Sequence, residues 1–320
     1  MPTTSGPETP AVRILVTGAN GQVGWNLQRT LSPLGDVVAL SRDQLNLSNL
    51  DAVAQAVRDT GANLVVNAGA YTAVDKAESE PELARVVNAL APARMAEELA
   101  RSGGTLIHYS TDYVFDGAKD GAYVEDDPTA PLNVYGQTKL EGEQAIAASG
   151  CAYVILRTSW VYDIRGKNFL RTVLRLARER EELRMVGDQF GAPTWARAIA
   201  EATLVIAVQL LRRRNTLDAQ SRADGGIFHL TAAGQTSWAE FADAIIKEYD
   251  DCCSWPADSG EFGQPLKVKN IVSIATAEYP TPAKRPLNSV LSNAKVQAVF
   301  GIALPEWRSQ LRLAMQDAIR

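Results

Sequence analysis

A glycine-rich loop near the start of the chain constrains the fold more than any other feature of the sequence. An apolar, β-branched run at 13–16 stops at this loop, and a helical pattern at 25–31 follows directly. In such a strand–loop–helix unit, Gly18 permits a tight turn, Gly21 lets the backbone approach a pyrophosphate, and Gly24 lets the helix pack closely on the strand. The Gly-x-x-Gly-x-x-Gly spacing differs from the more familiar Gly-x-Gly-x-x-Gly. The interpretation as a dinucleotide loop therefore depends on the strand and helix that flank it. We therefore predict that a dinucleotide binds at this loop.

Further apolar runs and helical patterns alternate along the first half of the chain. Predicted strands lie at 37–40, 64–67, 105–109 and 153–162. The helices predicted between them are one that ends at Asp59 behind a capping box at 48–51, one at 81–101 with a kink at Pro92, and one at 135–150. Five β–α units in succession favour an α/β fold with a parallel, doubly wound sheet.

The second half of the chain predicts a smaller lobe that is interleaved with the first. Its predicted elements are helices at 169–182, 195–214, 237–249 and 304–319 and a strand at 227–231. Because the helix at 195–214 and the strand at 227–231 are long or apolar enough to pack on the sheet, we expect parts of 195–235 to complete a dinucleotide-binding domain formed by 12–165. Residues 166–320 then form the substrate-binding lobe. The segments predicted to lack regular structure are a disordered tail at 1–11 and loose loops at 217–226 and 250–263.

Composition and charge exclude several classes of function. The chain of 320 residues is 46% hydrophobic, which supports a sizeable core, and its net charge of −5 gives no basic face for nucleic acid. The sequence contains no run of about 18 apolar residues, which is the length needed to span a membrane. The three cysteines, Cys151, Cys252 and Cys253, fit neither a disulfide framework nor a metal site, which predicts a reducing, cytoplasmic location. His108 and His229 lie in apolar runs that predict core positions, and we assign no metal ligand.

Two further strand ends bear on the cofactor. The run at 37–40 ends at Ser41 and Arg42, where an acidic residue would favour NAD and an arginine can pair with the 2′-phosphate of NADP. We therefore expect NADPH, with NADH as the alternative. In the other interpretation, Arg42 is a surface residue in a loop that also holds Asp43. The run at 64–67 is followed by small residues beside which a backbone can approach a cofactor, Ala68, Gly69 and Ala70.

Tyr135 and Lys139 stand four residues apart in a predicted helix, which places both on one face. A free tyrosine has a pKa of about 10, and an ammonium group beside it would favour the phenolate and lower that pKa. The pair is therefore a candidate acid/base. Helices also carry Tyr-x-x-x-Lys by chance on solvated faces, so the spacing needs support from other residues.

That support comes from a resemblance to a known family. The glycine loop, Thr111, Tyr135 and Lys139 together resemble the extended short-chain dehydrogenase/reductase superfamily. Within it, several blocks closely resemble the dTDP-4-dehydrorhamnose reductase family, and the resemblance covers the chain from Val12 to its end. The blocks lie at 17–25, 70–78, 110–116, 131–139, 157–162, 188–194 and 280–288.

The resemblance implies a Rossmann-type fold and a reaction in which NAD(P)H reduces the C4 keto group of dTDP-4-dehydro-L-rhamnose, the last step toward dTDP-L-rhamnose. By analogy, Tyr135 gives the proton, Lys139 lowers the pKa of Tyr135 and holds the nicotinamide ribose, and Thr111 bonds the reacting oxygen. Implied substrate contacts are Thr111, Asp112, Trp160 and, for the diphosphate, Arg285. The cofactor-binding residues predicted from the loop, the strand ends and the resemblance together are Gly18, Gly21, Gln22, Val23, Gly24, Arg42, Asn46, Leu47, Ala68, Gly69, Ala70, Tyr135 and Lys139.

The resemblance also allows a homodimer and Mg²⁺, since some relatives use Mg²⁺ at a dimer contact. Two other functions stay open. The chain could be another sugar-nucleotide epimerase or dehydratase of the same superfamily, or a non-catalytic, reductase-like regulatory subunit. The intact set of Thr111, Tyr135 and Lys139 argues against the subunit.

Overall fold

The computed structural model describes residues 12–214, 225–251 and 260–319 of the chain. The predicted tail, most of the two predicted loose loops, Cys252 and Cys253 lie outside the described residues. A six-stranded sheet forms the centre of the fold, with strand order β10-β5-β4-β3-β1-β2, and every neighbouring pair is parallel. The predicted α/β fold with a doubly wound parallel sheet is confirmed.

Twelve strands are present in the described residues. Those of the six-stranded sheet are β1 Arg13–Thr17, β2 Asp36–Leu40, β3 Leu64–Asn67, β4 Thr105–Thr111, β5 Ala152–Thr158 and β10 Gly226–His229. The other six pair two by two outside it and are β6 Val161–Tyr162, β7 Glu182–Val186, β8 Phe190–Gly191, β9 Thr194–Trp195, β11 Thr236–Ser237 and β12 Asn270–Ile274.

Eleven α-helices connect and cover the strands in the same residues. Those of the first half are α1 Gln22–Thr30, α2 Leu50–Thr60, α3 Val74–Ala77, α4 Pro81–Arg85, α5 Ala91–Ser102 and α6 Val134–Ala148. Those of the second half are α7 Phe169–Glu179, α8 Ala196–Arg214, α9 Trp238–Asp251, α10 Ala294–Phe300 and α11 Trp307–Ile319.

Alternating residues of each strand pack on opposite faces of the sheet. In β1, Ile14 and Val16 join one hydrophobic cluster, which includes Leu27 of α1 and Ile199 of α8. Leu15, between them, joins a second cluster with residues of α2, α5 and α6. Helices therefore cover both faces, as a period of two along buried strands requires.

A third hydrophobic cluster lies outside the sheet and joins α7, α9 and α11. It includes Tyr162, Phe241 and Trp307, all buried. The parallel pair of β7 and β12 borders it. The edge strand β10 and the helix α8 come from the second half of the chain, yet they pair with or pack on the large sheet.

Several predicted boundaries were wrong, each for a local reason. The strand predicted at 153–162 ends at Thr158, because Trp160 takes a positive φ of 48° and breaks the extended run.

The predicted capping box is replaced by a single cap, in which Asn49 accepts a hydrogen bond from the N–H of Ala52. The kink predicted at Pro92 is a π-helical turn at Val86–Leu90 directly before α5. The helix predicted at 169–182 stops at Glu179, and β7 follows it.

Candidate active site

The glycine loop between β1 and α1 is closed too tightly for any larger residue. Gly18 has a φ of 70°, and a Cβ atom on it would lie 2.7 Å from the N atom of Gly69. A Cβ atom on Gly24 would lie 2.1 Å from the carbonyl oxygen of Gly18. The first turn of α1 has no acidic residue, and no described side chain caps its start. The N–H groups there suit an anionic group such as a diphosphate, so the loop fits the predicted dinucleotide.

The other predicted cofactor residues divide into two groups. Leu47 and Gly69 lie against the glycine loop: a Cβ atom on Gly69 would meet Leu47 Cδ1 at 2.7 Å and Thr17 Oγ1 at 3.4 Å. Gln22 is held by Asn168, whose Nδ2 donates to its Oε1 at 2.9 Å. Of the other predicted residues, Val23 and Ala68 also pack on the first hydrophobic cluster, Ala70 is half-buried, Asn46 binds Ser48 within a turn, and Arg42 is exposed.

The start of α6 is fixed by contacts that place Tyr135 beside the end of β4. Asn133 caps the helix, since its Oδ1 accepts a hydrogen bond of 2.8 Å from the N–H of Gly136. The Nδ2 of Asn133 donates to the carbonyl of Lys284 at 2.8 Å, which ties the segment after β12 to the start of the helix. A Cβ atom on Gly136 would lie 2.1 Å from the carbonyl oxygen of Tyr113, so the helix touches the turn that follows β4.

Thr111 and Tyr135 interact at this contact. Burial raises the pKa of Tyr135 to about 12, and a hydrogen bond with Thr111 only partly opposes that effect. The Tyr135 ring also packs edge-on against Tyr113, with 5.8 Å between ring centroids. The lowered pKa of Tyr135 that the spacing to Lys139 predicted was wrong here, because burial dominates. Tyr135 is therefore a neutral phenol at physiological pH.

Lys139 is buried on the same helix, with 2% of its surface exposed. Its Nζ donates to the carbonyl of Tyr109 at 2.5 Å and lies 3.1 Å from Nε2 of His108. Burial lowers the pKa of Lys139 to about 8, although the nearby carboxylate of Glu143 favours the charged form. The amine is therefore close to titrating at neutral pH.

The predicted substrate residues lie in three different environments. Asp112 is buried, its Oδ1 accepts a hydrogen bond of 2.9 Å from Thr111, and burial raises its pKa to about 7. Trp160 stacks on Trp238 with 3.5 Å between ring centroids and an interplanar angle of 7°. Arg285 is already bound by Asp75 through two hydrogen bonds of 2.9 and 2.8 Å. An incoming diphosphate would have to share the guanidinium with Asp75.

Several polar residues of the site were not foreseen from the sequence. His108 was predicted as a core residue, and it is buried, but it also contacts Lys139. Asn88 lies in the π-helical turn and holds both the N–H and the carbonyl of Tyr71. Trp238 was placed only in a helix, without a role. A signal was available for His108: a polar side chain within a buried strand needs a hydrogen-bond partner.

These features define a class of protein. They are a doubly wound parallel sheet, a tight glycine loop after β1 and a helix after β4 that carries Tyr-x-x-x-Lys. Together they characterise a nicotinamide-dependent reductase of the short-chain type. A family model described as the RmlD substrate binding domain matches residues 12–319. The chain therefore belongs to the RmlD family, and several similar proteins are dTDP-4-dehydrorhamnose reductases.

The relatives match over nearly their full length. A dTDP-4-dehydrorhamnose reductase of Burkholderia thailandensis is 51% identical over 308 residues, which cover 96% of this chain and 99% of that protein. The Escherichia coli K12 dTDP-4-dehydrorhamnose reductase is 45% identical over 310 residues, covering 96% and 98%. A crystal structure of the Bacillus anthracis dTDP-4-dehydrorhamnose reductase in complex with NADP matches with a TM-score of 0.82 and 32% identity, covering 96% of this chain and 99% of that one.

Within 12–214, 225–251 and 260–319, no group of three or more His, Cys, Asp and Glu side chains could hold a metal ion. No helix of the described chain is long and apolar enough to cross a membrane.

Proposed function

We propose that this chain uses NADPH to reduce the C4 keto group of dTDP-4-dehydro-L-rhamnose, which gives dTDP-L-rhamnose. The observation that carries the proposal is the contact of Thr111 with Tyr135 at the same end of the parallel sheet as the tight glycine loop, in a chain that matches dTDP-4-dehydrorhamnose reductases over nearly its whole length. A bound nicotinamide would supply the hydride. The residues described above would supply the proton, the hydrogen bonds and the binding energy.

Tyr135 would act as the proton donor. Reduction of a ketone places negative charge on the C4 oxygen, which must receive a proton. Because the pKa of Tyr135 is about 12, its hydroxyl carries a proton at neutral pH and can give it to an alkoxide. The Thr111 hydroxyl, which donates its one hydrogen to Asp112 in this structure, would turn that hydrogen to the C4 oxygen as a second donor. Lys139, in its charged form, would hold the nicotinamide ribose.

The sugar nucleotide would lie between the sheet and the smaller lobe. We assign Asp112 and Trp160 to the sugar and Arg285 to the diphosphate, which would compete with Asp75 for the guanidinium. The same proposal divides the chain into a dinucleotide-binding domain, 12–165 completed by parts of 195–235, and a sugar-nucleotide-binding lobe. The strand β10 in the large sheet and the separate third cluster support that division.

Arg42 is expected to favour NADPH over NADH. It is exposed just after β2, and no described residue forms a hydrogen bond or ion pair with it. A guanidinium paired with a phosphate makes charge-assisted hydrogen bonds worth ~1.5–3 kcal/mol, about a tenfold preference or more. Arg42→Ala should therefore raise the Michaelis constant for NADPH about tenfold and leave that for NADH unchanged.

The control for Arg42 is Arg101→Ala. Arg101 is an exposed arginine near the end of α5, just before β4 begins, and so lies at the opposite end of the parallel strands from the glycine loop. Its replacement should change neither constant. Equal increases for the two cofactors in Arg42→Ala, or no increase, would show that Arg42 is only a surface residue.

An assay of cofactor oxidation separates the candidate functions. The purified protein with dTDP-4-dehydro-L-rhamnose and NADPH should consume one equivalent of cofactor for each sugar nucleotide reduced. An epimerase or dehydratase would leave the cofactor pool unchanged, and a regulatory subunit would change neither compound. A homodimer, a cytoplasmic location and a need for Mg²⁺ stay predictions, and Mg²⁺ gains no support from the described residues.

A further inference from the structure

His108 joins the catalytic helix to the ends of two other strands. Thr17, Asn67 and His108 are direct neighbours in the parallel register of β1, β3 and β4. Thr17 Oγ1 donates to Asn67 Oδ1 at 2.6 Å, and Asn67 Nδ2 lies 3.0 Å from His108 Nδ1. The other ring nitrogen, Nε2, lies 3.1 Å from Lys139 Nζ. One row of polar side chains thus runs from the glycine loop to Lys139.

The orientation of Asn67 determines which ring nitrogen of His108 carries the hydrogen. The backbone N–H of Gly69 can only donate, and it lies 3.2 Å from Asn67 Oδ1, so that atom is the amide oxygen. The amide NH₂ group of Asn67 therefore faces His108, and Nδ1 must accept a hydrogen bond from it. Burial and the charge of Lys139 hold the pKa of His108 well below its usual range, so the ring is neutral. A neutral ring that accepts at Nδ1 carries its hydrogen on Nε2.

This tautomer points an N–H group at Lys139. A charged ammonium has three donors and no lone pair, so it cannot accept a hydrogen bond from Nε2–H. A neutral amine can accept that hydrogen bond and still donate to the carbonyl of Tyr109. The contact of 3.1 Å is therefore favourable only when Lys139 has lost its proton.

The charged and titratable groups around Lys139 do not cancel this effect. On α6, Tyr135 is neutral and Glu143 is bound by Arg157 of β5, with 2.7 Å between Nη2 and Oε2. Of the other such groups on the elements that pack against α6, four have partners: the Tyr109 hydroxyl binds Thr203, Asp112 Oδ1 binds Thr111, Arg85 binds Glu141 and Glu98 binds Arg58.

We propose that Asn67 holds His108 as the Nε2–H tautomer, and that His108 is thereby a positioning residue whose N–H, in addition to burial, favours the uncharged form of Lys139. The functional part rests on the proposed role of Lys139 in holding the nicotinamide ribose. Since only the ammonium form has the full set of donors and the charge, cofactor binding is strong below the pKa of Lys139 and weakens as the pH rises through it.

The test is a titration of Lys139 by NMR in the full-length protein labelled with ¹³C at the lysine ε carbon. The Lys139 signal is assigned by its loss in Lys139→Arg. In the unaltered protein it should titrate near pH 8. His108→Phe keeps the ring volume and the burial but removes the opposing N–H, so the pKa of Lys139 should rise by about one unit, a tenfold change in the equilibrium. His229→Phe, the same change at a buried histidine elsewhere, should leave it unaltered.

A second variant conserves the volume and reverses the tautomer. In Asn67→Asp, a carboxylate oxygen faces Nδ1, which then carries the hydrogen and leaves Nε2 to accept a hydrogen bond from the ammonium. With His108 present, Asn67→Asp should therefore raise the pKa of Lys139. In a His108→Phe background only the added negative charge acts, so the same change should raise that pKa by a smaller amount. Equal rises in the two backgrounds, or a pKa in His108→Phe that is unchanged or lower, would overturn the proposal.

The same variants give an enzymatic measurement. The alkaline decline of kcat/KM for NADPH should move to higher pH together with the pKa of Lys139 in His108→Phe and Asn67→Asp. A purely structural role for His108 would lower kcat/KM at every pH without moving the decline. The NMR titration needs no turnover, so it decides the tautomer even if the proposed substrate is wrong.

Discussion

Tyr135→Phe should lower turnover by ~10²–10⁴-fold while cofactor binding persists, because general acid catalysis typically contributes that factor. The change keeps the ring, its volume and its edge-on contact with Tyr113, and it removes only the hydroxyl that contacts Thr111. Turnover is measured with saturating substrate, and cofactor affinity by fluorescence titration with NADPH.

Tyr109→Phe is the matched control for this prediction. It removes a buried tyrosine hydroxyl on the other face of the sheet, whose partner is Thr203 at 2.6 Å. Loss of that hydrogen bond should reduce stability by about 1 kcal/mol and leave turnover nearly unchanged. If Tyr135→Phe retains near-native turnover, the proton donor is another group, and a water held by Thr111 or Asp112 is the next candidate.

Arg157→Met should reduce the free energy of unfolding by ~3–5 kcal/mol, because it leaves the Glu143 carboxylate buried without its partner. The two side chains are 3% and 1% exposed, and the guanidinium meets both carboxylate oxygens, with 2.7 Å between Nη2 and Oε2. The measurement is chemical denaturation followed by circular dichroism.

The same helix provides the control for Arg157→Met. Glu141 of α6 pairs with Arg85, and these side chains are 36% and 45% exposed. Arg85→Met should therefore reduce the free energy of unfolding by less than about 1 kcal/mol. The double change Glu143→Leu with Arg157→Met should recover much of the stability lost in Arg157→Met, since no buried charge remains unpaired. A similar loss in the exposed and the buried variants would contradict this account of the pair.

The sequence predicted the parts of the fold that local patterns determine. Alternation of buried runs with helical patterns was enough for the large sheet, and helix spacing was enough to put Tyr135 and Lys139 on one face. The short strands β7 and β12 escaped notice, because each is partly exposed and is stabilised by the other across more than eighty residues of chain. A sequence pattern predicts a strand only when the residues of that strand themselves alternate between apolar and polar.

The environment of the candidate site was harder to predict for the same reason. The pKa of Tyr135 depends on burial by the turn after β4, and the spacing to Lys139 alone gave the wrong direction. The link from Lys139 to His108 joins residues 31 apart in sequence. This contact depends on the register of β3 with β4 and on the packing of α6. A short sequence motif predicts neither of them. Arg285 shows the same limit, since its partner Asp75 comes from a different part of the chain.

The most direct test of the proposed reaction is the fate of the hydride. The protein is incubated with dTDP-4-dehydro-L-rhamnose and NADPH that carries deuterium at C4 of the nicotinamide, in separate reactions with each of the two stereospecifically labelled forms. The product of one reaction should be dTDP-L-rhamnose with one deuterium at C4 of the sugar, and the product of the other should be unlabelled, as measured by NMR. Deuterium at another carbon, or in neither product, would contradict the proposal that this chain reduces the C4 keto group.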